Sequence, residues 1–254
     1  MDVLTNNDIV ILILSAFITS SISAVLGMGG GIILLGIMAV IIPEGYKVIA
    51  LHGMVQLFSN TTRTYVFRKY VKTQLIKQFF NGALIGISFS VGIIITLIYY
   101  FDVQSANEIK VEVLKPFIGL FIVWNLFLKG PKKAKIVKSF VPVGLVAGLS
   151  SIFVGAVGPL IAPFFLVKSF NKEHIIANKA AAQMITHLSK IPLFIYFFNM
   201  DYTAELKILI PLILAVYVGT SFGKKILYFI PELLFKKLFK ITLFIISIRL
   251  ILLS

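Results

Sequence analysis

Apolar positions fall in long runs at 9–26, 31–42, 48–67, 75–100, 113–128, 139–154, 159–169, 174–197, 205–223 and 232–253. Most can cross the roughly 30 Å hydrocarbon core of a bilayer, which takes about 20 helical residues. The runs 31–42 and 159–169 are too short to do so. Each follows a glycine break, so each is expected to pair with its predecessor as a hairpin or re-entrant unit. The densest break is "AVLGMGGGIILLG", residues 24–36, where Gly27, Gly29, Gly30 and Gly31 interrupt what otherwise reads as a span. Opened backbone at membrane depth is tolerated where protein buries it or where it lines a polar cavity.

Two of the runs carry a polar stripe. His52, Gln56, Ser59, Asn60 and Arg63 fall at i, i+4, i+7, i+8 and i+11, which is one face of a helix. Lys179, Gln183, Thr186, His187 and Lys190 repeat that spacing on the run 174–197. Ionisable residues inside a span are expensive and face a bundle interior or a water-filled cavity. Arg63 lies near a span end, where snorkelling is an alternative. Ser59 and Thr186 are also suited to bonding a neighbouring helix. His187 reads as a hydrogen-bond donor or proton carrier rather than a metal ligand.

The stripes belong to a wider internal repeat. "SAVLGMGGGIILL" (23–35) aligns with "SIFVGAVGPLIAP" (151–163), matching Gly27 to Gly155, Gly30 to Gly158 and Gly31 to Pro159. "ALHGMVQLFSNTTR" (50–63) aligns with "ANKAAAQMITHLSK" (177–190), which matches Gln56 to Gln183 and Arg63 to Lys190. "ALIGISFSVG" (83–92) resembles "AVYVGTSFGK" (215–224). The expected fold is therefore an all-α integral membrane protein with two inverted-topology repeats. Each repeat is a glycine-broken hairpin plus three transmembrane helices. The expected units are 1–128, a basic cytoplasmic linker at 129–138, and 139–254.

Composition agrees, with 59% hydrophobic and 13% charged residues over 254 positions, more apolar surface than a soluble domain of this size can cover. The first run lacks a basic leader and further spans follow, so it reads as a retained helix. The net charge of +14 sits in blocks at span ends, such as Arg68-Lys69, Lys132-Lys133, Lys224-Lys225 and Lys236-Lys237. That placement follows the positive-inside rule and implies anionic lipid headgroups, not nucleic acid, as the partner. The unopposed basic stretches 63–77 and 129–138 are expected in the cytoplasm, and the mixed segments 102–115 and 199–207 outside. The N-terminus is then outside, the location the cell membrane, and an odd number of crossings per half inverts the second half.

No Asp or Glu lies well inside a run, and the chain has no cysteine. A cation or metal carrier would have nothing to bind with. Lysine, arginine, histidine, amides and helix N-termini suit a small anion, because a helix start presents free N–H groups and the positive end of its dipole. The candidate binding residues are Gly29, Gly30, Gly31 and Gly158 for their amides. Gln56, Asn60, Gln183 and His187 would supply hydrogen bonds, and Arg63, Lys179 and Lys190 countercharge. No cofactor is expected. Close helix packing through the Gly27-x-x-x-Gly31 pair is the alternative reading of the glycines. Trp124-Asn125 and Arg249 occupy corresponding places in the last run of each half, with Arg249 read as an interfacial anchor. An anion channel, a membrane-embedded enzyme and an assembly factor are the rival functions. The enzyme lacks an acidic pair, a metal motif and a thiol.

"GMGGGIILL" after a first helix, an alanine-rich third segment, "VFRKYVK" (66–72) and "GAVGPLIAPFFL" (155–166) resemble the sulfite exporter TauE/SafE family, also called the TSUP transporters. The resemblance covers nearly the whole chain. It departs at Leu34-Leu35-Gly36, where the family often has a proline, and at Arg68-Lys69-Tyr70-Val71, where the family's turn runs Arg-Gly. It implies a carrier of sulfite, sulfonates or related sulfur oxyanions. A non-sulfur organic anion stays open as its substrate, as does a homo-oligomeric assembly.

Overall fold

The computed structural model describes residues 4–103, 139–152, 157–166 and 170–252. The run 113–128, the linker 129–138, Trp124-Asn125 and Gly155 lie outside the described residues, as does the side chain of Arg249. The described residues form helices α1 (Asn6–Leu26), α2 (Gly30–Ile41), α3 (Gly45–Val66), α4 (Thr73–Phe101), α5 (Val141–Ser151), α6 (Gly158–Phe165), α7 (Lys172–Phe198), α8 (Leu206–Tyr228) and α9 (Glu232–Leu252). A short 3₁₀ turn, Arg68–Tyr70, links α3 to α4.

Local chemistry sets several of these boundaries. Thr5 and Asp8 form a capping box at the start of α1, and the Asn171 side chain accepts from the His174 amide to start α7. Gly27 ends α1 at φ +74° and Gly29 caps α2 at φ +95°. Both are left-handed conformations that a side chain would strain. The short runs are short helices, as their lengths required. Gly27 caps α1 and Gly31 lies in α2, so they do not form a packing pair on one helix face.

α1, α4 and α8 are long and apolar enough to cross a membrane, and the chain is a membrane protein. They carry much of the outward apolar surface, including Leu14, Ile18, Phe89, Ile93, Leu214 and Val218. α3 and α7 carry the polar stripes and pack against each other in the interior. Around them α1 packs along α8, and α4 along α5.

Small residues allow these close pairings. A Cβ on Gly82 or Gly86 of α4 would overlap the Val141 or Leu145 carbonyl of α5. Gly144 and Gly148 of α5 stand equally close to the Phe79 and Ala83 carbonyls. Hydroxyls fasten both seams, with Ser90 Oγ donating to the Leu149 carbonyl at 2.7 Å and Ser20 Oγ to the Val216 carbonyl at 2.8 Å. In lipid, where apolar burial between helices gains little, such contacts and close backbone approach hold helices together.

Contacts also tie down both ends of α3, which is about 33 Å long at 1.5 Å per residue. Lys47 in its first turn pairs at 2.6 Å with the buried Glu205, just before α8. Beyond its other end, the Asn178 side chain of α7 accepts from the Lys72 amide at 2.7 Å and donates to the Tyr70 carbonyl at 2.9 Å.

Candidate functional site

The glycine break, the start of α6 and the two polar stripes converge on one interior cavity. Gly29, Gly31, Gln56, Arg63, Gly158, Lys179, Gln183 and His187 line it, joined by Ser23, Met28, Ile32, His52 and Pro159. Only about 20 Å³ is open to the centre of a water molecule, so the site is closed down tightly.

Each group has a definable placement. Lys179 Nζ donates to the Gly27 carbonyl at 2.9 Å and to Gln183 Oε1 at 2.8 Å. It thereby ties α7 to the end of α1. Arg63 is held from its own helix, with Nη2 donating to Asn60 Oδ1 at 2.8 Å and Nε to the Ser59 carbonyl at 3.3 Å. Asn60 in turn donates to the Gln56 carbonyl at 2.8 Å. Arg63 therefore turns inward instead of snorkelling, and is only 2% exposed, as is Lys179.

His52 Nε2 lies 2.7 Å from the Gly31 carbonyl, which can only accept, so this nitrogen carries the proton. The His52 and His187 rings meet edge to face, with centroids 6.3 Å apart. The Nδ1 atoms of both are buried without a hydrogen-bond partner. Two of the cavity glycines and its two glutamines form two similar pairs. A Cβ on Gly31 would sit 3.1 Å from Gln56 Oε1, and one on Gly158 would sit 2.6 Å from Gln183 Nε2.

Three of the expected binding residues stand outside the lining. Gly30 is pressed into α1, where its Cβ would overlap the Thr19 carbonyl and crowd Ser23 Oγ. Asn60 is fully buried and spends its amide on Gln56 and Arg63. Lys190 is buried with its chain 3.7 Å from the Cβ position of Gly53. α2 begins at Gly30, one residue before the expected Gly31. α9, meanwhile, covers the break, with Phe239 against Gly27 and the Thr242 methyl against Gly29.

The electrostatics are one-sided. Neither Arg63 nor Lys179 has a carboxylate partner among the described residues; the ion pairs found there lie at Lys47–Glu205, Lys172–Glu173 and Lys236–Glu232. An unpaired buried charge is among the most costly features a fold can carry. No cluster of three or more potential metal ligands occurs among the described residues. The starts of α2 and α6 line the same space through Gly29, Gly31, Gly158 and Pro159, and a helix start carries partial positive charge.

The model of the sulfite exporter TauE/SafE family matches residues 12–250. The chain belongs to this family. No curated protein and no solved structure matches it. TauE/SafE proteins are transporters, and the matched residues contain every residue that lines the cavity. The glycine break, both polar stripes and the second break thus all fall within the TauE/SafE region.

Proposed function

We propose that this protein is a secondary transporter of small anions, foremost sulfite, sulfonates or related sulfur oxyanions, working by alternating access around the central cavity. The observation that carries this reading is the placement of Arg63 and Lys179, two buried basic residues without a carboxylate partner among the described residues, in one cavity with the starts of α2 and α6. An oxyanion bound there would neutralise the cations and accept from the free amides, with Gln56, Gln183 and His187 completing its hydrogen bonds. Family membership supplies the sulfur preference, which the charges alone do not.

Two inverted repeats, 1–128 and 139–254 joined by 129–138, account for the helix pairings. The first helix of each half, α1 or α5, packs on the later helix of the other, α8 or α4, while α3 meets its counterpart α7. The paired Gly31–Gln56 and Gly158–Gln183 contacts follow the same correspondence. Such repeats place substrates at broken helices near the midplane and work by rocking one half against the other. The tight cavity and the contacts at both ends of α3 favour a carrier over an open channel. The basic turn 68–72 would face the cytoplasm of a cell-membrane protein whose N-terminus lies outside. Net export would draw on the inside-negative potential, about 2.3 kcal/mol per charge per 100 mV.

Proteoliposomes loaded with labelled sulfite test the reading, challenged outside with sulfite, sulfate, sulfoacetate, thiosulfate or chloride. Saturable exchange confined to sulfur oxyanions is expected. Exchange of none of these by folded protein sinks the anion site, and non-saturable flux makes the protein a channel. Flux insensitive to an imposed potential removes the voltage drive.

A further inference from the structure

A second cavity lies apart from the central one, at the α3–α4 turn and the end of α8. This crevice of about 940 Å³ is lined by Arg68 and Lys69 of the turn, Lys224 and Lys225 of α8, and a single acid, Glu173 of α7. Lys224 Nζ reaches across to the end of α3, 3.4 Å from the Val66 carbonyl and 5.7 Å from the centre of the Phe67 ring. Arg68 lies over the Tyr65 ring at 4.5 Å. Tyr228 and Phe229, also lining the crevice, are 83% and 80% exposed.

We propose that this crevice is a binding site for the phosphate headgroup of an anionic phospholipid. Charge complementarity selects an anion, since four cations from two elements converge against one carboxylate. A lipid, rather than a soluble phosphate, is selected by what adjoins the charges. Leu214, Val218, Phe222 and Ile226 recur every fourth residue on α8 and are all exposed, forming an apolar track that ends beside Lys224 and Lys225. Tyr65 extends that surface on the adjoining α3. An acyl chain laid along the track puts its phosphate between the α8 lysines and the Arg68-Lys69 turn, with the exposed aromatic pair at headgroup depth.

Fixing topology requires only that positive charge lie near span ends. It does not require the charges to meet around a crevice, nor an apolar track leading into it. Basic pockets between spans are where anionic headgroups are bound specifically. The lipid would bridge the turn following α3 to the end of α8, and so span the two proposed halves.

The test uses the full chain in a neutral detergent, with thermal unfolding followed as phosphatidylglycerol, phosphatidylcholine, glycerol 3-phosphate or inorganic phosphate is added. Native mass spectrometry counts the retained lipid. Phosphatidylglycerol is expected to raise Tm more than phosphatidylcholine, with one lipid retained and no response to either soluble phosphate. K224Q/K225Q should lose that difference, while K237Q/K240Q, which removes equal charge from the exposed side of α9, should keep it. Equal loss in both double variants overturns the proposal in favour of diffuse attraction. So does an undiminished response in K224Q/K225Q. A soluble phosphate as effective as the lipid would make the crevice a site for free anions instead.

Discussion

Lys179 reaches across the break in the first helix to bond the Gly27 carbonyl at 2.9 Å, joining residues 152 positions apart. The cation thus caps the end of α1 while its remaining proton stays beside the cavity. The interaction satisfies a carbonyl that α1 leaves open but does not neutralise the charge. A lysine kept at a position only 2% exposed implies a use beyond packing.

Replacing Lys179 with Met should abolish saturable anion exchange, by at least about tenfold, the equivalent of one lost charged hydrogen bond. The same variant should unfold no earlier than the parent in anion-free buffer, because an uncompensated buried charge has been removed. Added sulfite should stabilise the parent and not the variant. A variant that unfolds early yet still exchanges sulfite would make Lys179 a structural strut.

The two glycine–glutamine pairs should respond unequally. A methyl at Gly158 meets Gln183 Nε2 at 2.6 Å, against 3.1 Å from Gly31 to Gln56 Oε1. Gly158→Ala must therefore displace its glutamine, whereas Gly31→Ala needs a shift of tenths of an ångström. Half-saturation for anion exchange should rise several-fold more in the first variant. Equal effects would show that neither glutamine is held where the anion needs it.

Glycines of α4 separate packing from propensity. Gly86→Ala would push a methyl into the Leu145 carbonyl, with an expected loss of about 1–3 kcal/mol typical of overpacking. Gly92 has open space at its Cβ, so Gly92→Ala should be neutral or stabilising by up to about 1 kcal/mol. Thermal unfolding in detergent reads both. A reversal of that order would mean that α4 and α5 do not meet along these faces.

The contacts at the two ends of α3 should act as opposing latches. The chain has no cysteine, so Ile32→Cys gives a single thiol on the cavity wall. Adding Lys47→Ala should speed its labelling by an impermeant maleimide from one side of the membrane. Adding Asn178→Ala should speed labelling from the other. Acceleration from the same side in both would exclude gates at opposite faces.

The sequence makes the helices legible because lipid imposes a simple rule of length and apolarity. The runs 75–100 and 232–253 differ from α4 and α9 by at most two residues at either end. The stripes were legible too, since a 3.6-residue period fixes a face. What a period cannot fix is direction within that face. Asn60 and Arg63 share it, yet Asn60 turns to its own helix and positions Arg63. Lys190 and Gly30 follow neighbours that the pattern does not encode. The covering of the break by Phe239 and Thr242 left no trace, because an apolar helix looks the same whichever side it turns to a partner.

The seam between α1 and α8 also bears on synthesis. Ser20 meets Thr220 across 200 residues of chain, about 10–40 s of translation at ordinary elongation rates. During that interval α1 has left the ribosome but its serine-bearing face has no α8 to receive it. Newly made chains must therefore shelter a polar seam in lipid until α8 emerges. Ribosome stalling between residues 30 and 200 should leave α1 open to insertase contacts that full-length protein no longer makes.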